Sequence, residues 1–174
     1  MKISIVVLLL LPTVILTDTA PTRAASVKGT LLCGKTPYEG AHVFLLRMKS
    51  EGMWKIADYL RECSSYESVF IKQILADKNQ ILDSRITSRF GMFQVDGNTQ
   101  GRAQNETTLM PILRVFHRCD VEDKHTNRYR KWQMQIPSEY VSNGRRALKV
   151  YDIGTLNLQL QFPKEKEVTF EPTM

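Results

Sequence analysis

Short stretches in which apolar and polar side chains alternate with period two, each closed by glycine, proline or a polar turn, recur from Val27 to Phe162. Successive side chains of a strand point to opposite faces, so a stretch of this kind buries one face and solvates the other. Val27, Gly29, Leu31 and Cys33 alternate with Lys28, Thr30 and Leu32 before Gly34-Lys35-Thr36-Pro37 ends the run. Ala41 to Lys49 sets Val43 and Leu45 against His42, Phe44 and Leu46, apolar on both faces as in a central strand. Ile81 to Thr87 leads through Arg89-Phe90-Gly91 into Met92, Phe93 and Val95, which reads as a hairpin. Pro111 opens a strand with Leu113, Val115 and His117 on one face and Ile112, Arg114 and Phe116 on the other. Trp132, Met134 and Ile136 alternate with Lys131, Gln133 and Gln135, and Leu156, Leu158, Leu160 and Phe162 alternate with Asn157, Gln159 and Gln161.

No helical pattern alternates with these strands as a parallel sheet would require, so the expected fold is all-β, an antiparallel two-sheet sandwich of about seven to eight strands. Its core is expected to hold Leu31, Val43, Leu45, Phe93, Leu113, Val115, Trp132, Met134, Ile136, Leu156 and Leu158. With 174 residues, 43% apolar and 24% charged, the chain can bury such a core as a single domain. One segment, 51–79, breaks the pattern because it is long for a sandwich connection. Tyr66, Val69, Phe70, Gln73 and Ile74 fall at helical spacing within it, which predicts an amphipathic helix over 66–75. The same segment reads equally as a retained intron in the gene model.

Lys2, the apolar run from Ile3 to Leu16, and polar Thr17 and Asp18 follow the layout of a secretory signal peptide. The apolar run is shorter than the roughly 20 residues a spanning helix needs. Cleavage is expected after Ala24, with Thr22 at the third position back, so that 1–24 is the signal peptide and 25–174 the mature domain. The product is expected outside the cell or at its surface, with no transmembrane segment left after cleavage. There Cys33, Cys63 and Cys119 meet an oxidising compartment, and their odd number leaves one without an intramolecular partner. Asn105, in the sequon Asn105-Glu106-Thr107, is the glycosylation candidate.

Residues for chemistry are few. His42, His117 and His125 are the only histidines, and a histidine within a strand more often packs than catalyses. His117-Arg118-Cys119-Asp120 places three metal-ligating residue types within four positions, but oxidation of Cys119 would remove its sulfur from that set. A glycine-rich phosphate loop and a Cys-x-x-Cys pair are both missing from the sequence. No catalytic residue, metal or cofactor is therefore assigned, and the expected function is binding or signalling rather than catalysis. The formal charge is +6, and Arg114, Arg118, Lys124, Arg128, Arg130 and Lys131 cluster around one loop. They are candidates for contact with an anionic partner, either anionic phospholipid or sulfated polysaccharide, or else form a solvated rim. Nucleic acid is not expected, because the compartment is wrong and no aromatic residues interleave the charges.

Taken in order, these blocks resemble the nematode transthyretin-like family. Val27 to Cys33 is similar to its opening strand and Pro37 to Leu46 to its second. Thr87, Gly91 and Phe93 match T-x-x-x-G-x-F, and Pro111 to Asp120 resembles P-x-L-x-I-Y-H-x-C-D. Arg130-Lys131 to Pro137, Tyr140-Val141 and Tyr151 to Leu158 complete the likeness, which leaves out 51–79. The resemblance implies a transthyretin-like sandwich, secretion, and an extracellular or cell-surface protein as partner. It names no ligand, and carriage of a small hydrophobic ligand in an oligomer channel is the alternative. A cysteine that many members carry just before Arg130-Lys131 is replaced here by Tyr129, and one near the C-terminus is also missing. Within the resemblance, Cys33 and Cys119 are the disulfide candidates and Cys63 stays unpaired. A hydrolase branch of the wider superfamily, acting on 5-hydroxyisourate, ends in Tyr-Arg-Gly-Ser, whereas this chain ends Phe170-Glu171-Pro172-Thr173-Met174.

Overall fold

The first strand, β1 (Arg23–Cys33), organises one of the two sheets. The computed structural model describes residues 21–48, 81–102, 108–121 and 127–170. The predicted helix over 66–75, the rest of 51–79, Cys63, Asn105, Lys124 and His125 lie outside them. The strands that follow are β2 (Thr36–Pro37), β3 (His42–Met48), β4 (Ile81–Ile86), β5 (Met92–Asn98) and β6 (Met110–His117). After these come β7 (Arg128–Gln135), a 3-10 turn at Ser138–Tyr140, β8 (Ser142–Asn143), β9 (Val150–Asn157) and β10 (Lys166–Thr169).

In sheet I, β1 pairs with β5, β2 and β8 in antiparallel fashion and with β9 in parallel. Sheet II runs β10-β7-β6-β3-β4, antiparallel throughout. The fold is thus the expected all-β sandwich. Its core lies between the sheets, where Val27, Leu31, Val43, Leu45, Phe93, Val95, Leu113, Val115, Trp132, Ile136 and Leu158 are buried. Met134 and Leu156, expected among them, pack against this cluster but are only partly buried. The Trp132 indole stacks on Phe162, with ring centroids 4.9 Å apart.

Two expectations about strands are corrected, and one strand was not expected. The segments on either side of Gly91 do not form a ladder with each other: β4 pairs with β3 in sheet II and β5 with β1 in sheet I, so this turn carries the chain between sheets. Thr87 anchors the crossing. Its buried hydroxyl donates to the Tyr38 carbonyl (2.8 Å) and accepts from the Ala41 amide (2.9 Å). Gly91 sits at φ 71 with its Cα against the Leu31 carbonyl, so any Cβ would collide with backbone.

The last expected strand begins earlier than its leucine repeat suggests. β9 ends at Asn157, where the Oδ1 accepts from the amides of Gly34 and Gln159 and turns the chain. Leu158 is buried, but Leu160 is exposed. The unexpected strand is β10, which sequence reading did not find. It adds to β7 through the pairs Lys166–Lys131, Glu167–Arg130, Val168–Tyr129 and Thr169–Arg128.

Candidate interaction surface

The alternation that fills the core also decides what sheet II turns outward. In β7, Arg130 and Trp132 face inward, so Tyr129, Lys131 and Gln133 face out. In β6 the outward residues are Ile112, Arg114 and Phe116, and in β3 they are His42, Phe44 and Leu46; the ladder sets His42 beside Phe116 and Phe44 beside Arg114. Phe170, just past β10, closes over this face. Its ring stacks on Phe116 at 4.2 Å and meets His42, Phe44 and Tyr129 edge-on at 5.3, 6.1 and 5.2 Å. The result is a cluster of aromatic rings on the outside of a sandwich, continued at the β4 edge by Ile86, which is 60% exposed. Burial among these rings lowers the His42 pKa and keeps its imidazole neutral at pH 7.

The six basic candidates divide. Arg114 and Lys131 lie on this outer face, with the Arg114 Nε donating to the Gln133 Oε1 at 3.1 Å. Arg118 follows β6, with its guanidinium 5.9 Å from the Tyr129 ring centre. Arg128 belongs to the opposite side of β7 and pairs with Glu167 at 3.3 Å. Arg130 is largely buried and is not part of an exposed patch. Its Nε meets Glu165 and its Nη1 donates to the carbonyls of Cys119 (3.1 Å) and Leu158 (2.9 Å). The Arg130 Nη2 also donates to the Leu160 carbonyl (3.2 Å), so this one side chain ties the segment after β9 to β7.

Beneath that guanidinium lies His117, fully buried and paired across the ladder with Arg130. Its Nε2 is 3.4 Å from Glu165 Oε1, and the Tyr38 ring stands edge-on to it at 6.3 Å. The His117 pKa falls to about 4, first because burial disfavours the charged ring and second because Arg130 repels it. His117 is therefore neutral at pH 7 and is enclosed by protein. Tyr38 is itself partly buried, which raises its pKa, and its hydroxyl oxygen accepts the Arg118 amide proton at 2.9 Å.

Cys33 and Cys119 are joined in a disulfide with Cα atoms 5.8 Å apart, linking the end of β1 to the residues just after β6. The Cys33–Cys119 pairing is the expected one. Among the described residues, the only close group of metal-ligating types is Cys33, Cys119 and Asp120, and the two sulfurs are spent in that bond.

Comparison with known proteins agrees with this framework. A family model for the transthyretin-like family matches residues 28–137. Transthyretin-like protein 46 of Caenorhabditis elegans is 29% identical over 144 residues, covering 83% of this chain and 64% of the relative, so the chain spans less than two thirds of that protein. Transthyretin-like protein 33 of the same organism is 26% identical over 144 residues and is covered for 80% of its length. The matched region runs from β1 through the end of β7, and so contains the disulfide, the Thr87–Gly91 crossing and most of the aromatic face. The chain belongs to the transthyretin-like family.

Proposed function

We propose that the protein is a secreted, non-enzymatic binding module that engages an extracellular or cell-surface protein through the outer face of sheet II. One observation carries this reading: Phe44, Phe116, Tyr129 and Phe170 pack with His42 on the side of the sheet away from the core, next to Arg114, Arg118 and Lys131. Aromatic residues and arginine are the types enriched where protein interfaces concentrate their energy. Secretion is supported by the apolar N-terminal run and by the Cys33–Cys119 bond, since disulfides persist mainly in oxidising compartments.

The test is binding of the purified, labelled protein to intact cells, with and without substitutions on this face. Phe170→Ala and Lys131→Glu are expected each to weaken saturable binding about tenfold, as loss of an interface anchor does. Lys28→Glu, on sheet I, is expected to leave it unchanged. Equal binding by all three variants would overturn the assignment of this face.

A further inference from the structure

Cations that meet no carboxylate among the described residues gather at one end of sheet I. Arg145, Arg146 and Lys149 are all exposed within 143–149, a loop that contains no acidic residue. Arg23 stands beside this loop, because β1 pairs Arg23 with Asn143. Arg102 is held to the same end by its amide, which donates to the Thr99 carbonyl, while the Thr99 amide donates to that of Arg23. Elsewhere Lys28, Arg85, Arg128 and Arg130 each meet a carboxylate. None of the five cations at this end does so among the described residues. Asp96, the nearest acid on β5, lies two residues inside the strand from Asn98 and is in contact with the Gln94 amide.

The loop is also held in place. The Gly144 amide donates to the Thr22 carbonyl (2.7 Å), Asn98 Nδ2 to the Arg145 carbonyl (3.1 Å), and the Leu148 amide to Ser142 Oγ (2.9 Å). Like charges gathered on a fixed backbone repel one another, a cost that a polyanion would reverse. Four of the five are arginines, whose planar forks grip oxyanions pairwise.

We propose that this end of sheet I binds a sulfated polysaccharide, with Arg145, Arg146 and Lys149 as the main contacts and Arg102 extending the track, joined by Arg23 in a chain whose cleavage falls ahead of it. A bilayer fits less well. The large apolar side chains exposed here are Leu148, 83% exposed, and Val150. Phe90 and Met92, also exposed, sit at the opposite end of the sheet, where β5 pairs Met92 with Thr30. Firm insertion into a membrane usually needs more apolar surface than one loop leucine and one valine provide. This surface is separate from the aromatic face of sheet II, so either can fail without the other.

The experiment measures binding of the purified, disulfide-bonded protein to heparin, to heparin stripped of its sulfates, and to vesicles with and without anionic lipid. Expected is saturable heparin binding that weakens steeply with salt and is lost with the desulfated polymer. Arg145→Glu with Arg146→Glu is expected to weaken it at least tenfold. The pair Arg145→Lys with Arg146→Lys, which keeps the charge but not the forks, is expected to lose less. Lys131→Glu and Leu148→Ala are expected to change it by less than twofold. Heparin affinity unchanged by the charge reversal overturns the proposal. So does tighter binding to anionic vesicles that Leu148→Ala abolishes, which would make this end a membrane contact instead.

Discussion

The carboxylate of Glu165 lies 3.4 Å from the imidazole of His117, with its Oε1 also against Arg130. One side chain from the segment before β10 thus joins a cross-strand pair of β6 and β7, while its Oε2 accepts the Phe162 amide at 2.8 Å. Glu165→Gln preserves the shape and removes the charge, leaving Arg130 enclosed without its counterion. Removing one partner of a buried pair typically costs about 3 to 5 kcal/mol. Urea denaturation should show that loss; an unchanged midpoint would mean that the three carbonyls around Arg130 stabilise it on their own.

The same cluster sets a pH dependence. His117 has a folded pKa of about 4, below its ordinary 6.5, so the neutral form is favoured in the folded state. A histidine of this kind contributes stability that is full above pH 6.5 and is lost as the pH falls from 6.5 towards 4, because the unfolded chain takes up the proton first. Glu165 and Asp120 oppose the shift and Arg130 adds to it. The expected effect is a fall in unfolding free energy on the order of 2 to 3 kcal/mol across that window. His117→Gln should flatten this part of the profile. A wild-type stability that stays level from pH 7 to pH 4 would contradict the neutral, buried state of the ring.

Reduction of the disulfide should also be costly. Cys33 and Cys119 close a loop with a sequence separation of 86, and the chain-entropy estimate for a loop of that size is about 4 to 5 kcal/mol. A reductant is expected to lower the melting temperature markedly, as is Cys33→Ser. Thiol titration of the denatured, unreduced protein should find a single free thiol, Cys63; three would show that the bridge had not formed.

The fold was legible in this sequence because period two fixes which residues share a face. That rule correctly puts Val43, Leu45, Leu113, Val115 and Trp132 in the core. Applied further, it also separates Arg130 from Lys131, which cannot belong to one patch because neighbours in a strand face opposite ways. The apolar second face of β3 was visible as His42, Phe44 and Leu46. What completes it, Phe170, was not. Lys166-Glu167-Val168-Thr169 contains one apolar residue and follows Pro163, so nothing local marks it as a strand. Its conformation comes from pairing with β7, a tertiary preference that no short window of sequence contains. The parallel partnership of β1 with β9 was hidden for the same reason: its first residues, Val150 and Tyr151, lie upstream of the leucine repeat that marked the expected strand.

The last prediction concerns where the folded chain begins. β1 starts at Arg23, and its first residues are bonded into the sheet: the Arg23 amide donates to Thr99 Oγ1 (3.0 Å), and the Thr99 amide donates back to the Arg23 carbonyl (2.9 Å). The Gly144 amide donates to the Thr22 carbonyl, and Ala24, almost fully buried, pairs with both Asn98 and Ser142. A chain starting at Ala25 loses these three bonds and leaves the Thr99 amide to find another partner. At about 0.5 to 1.5 kcal/mol per bond, it should be roughly 2 to 3 kcal/mol less stable than a chain starting at Pro21. Chemical denaturation of the two purified forms decides this, and equal midpoints would show that the start of β1 adds nothing. N-terminal sequencing of protein recovered from culture medium then shows which form cells make. A start at Ala25 follows from the small-residue rule, and a start nearer Pro21 would keep the strand whole. Met1 intact on a cytosolic product would remove the extracellular reading altogether.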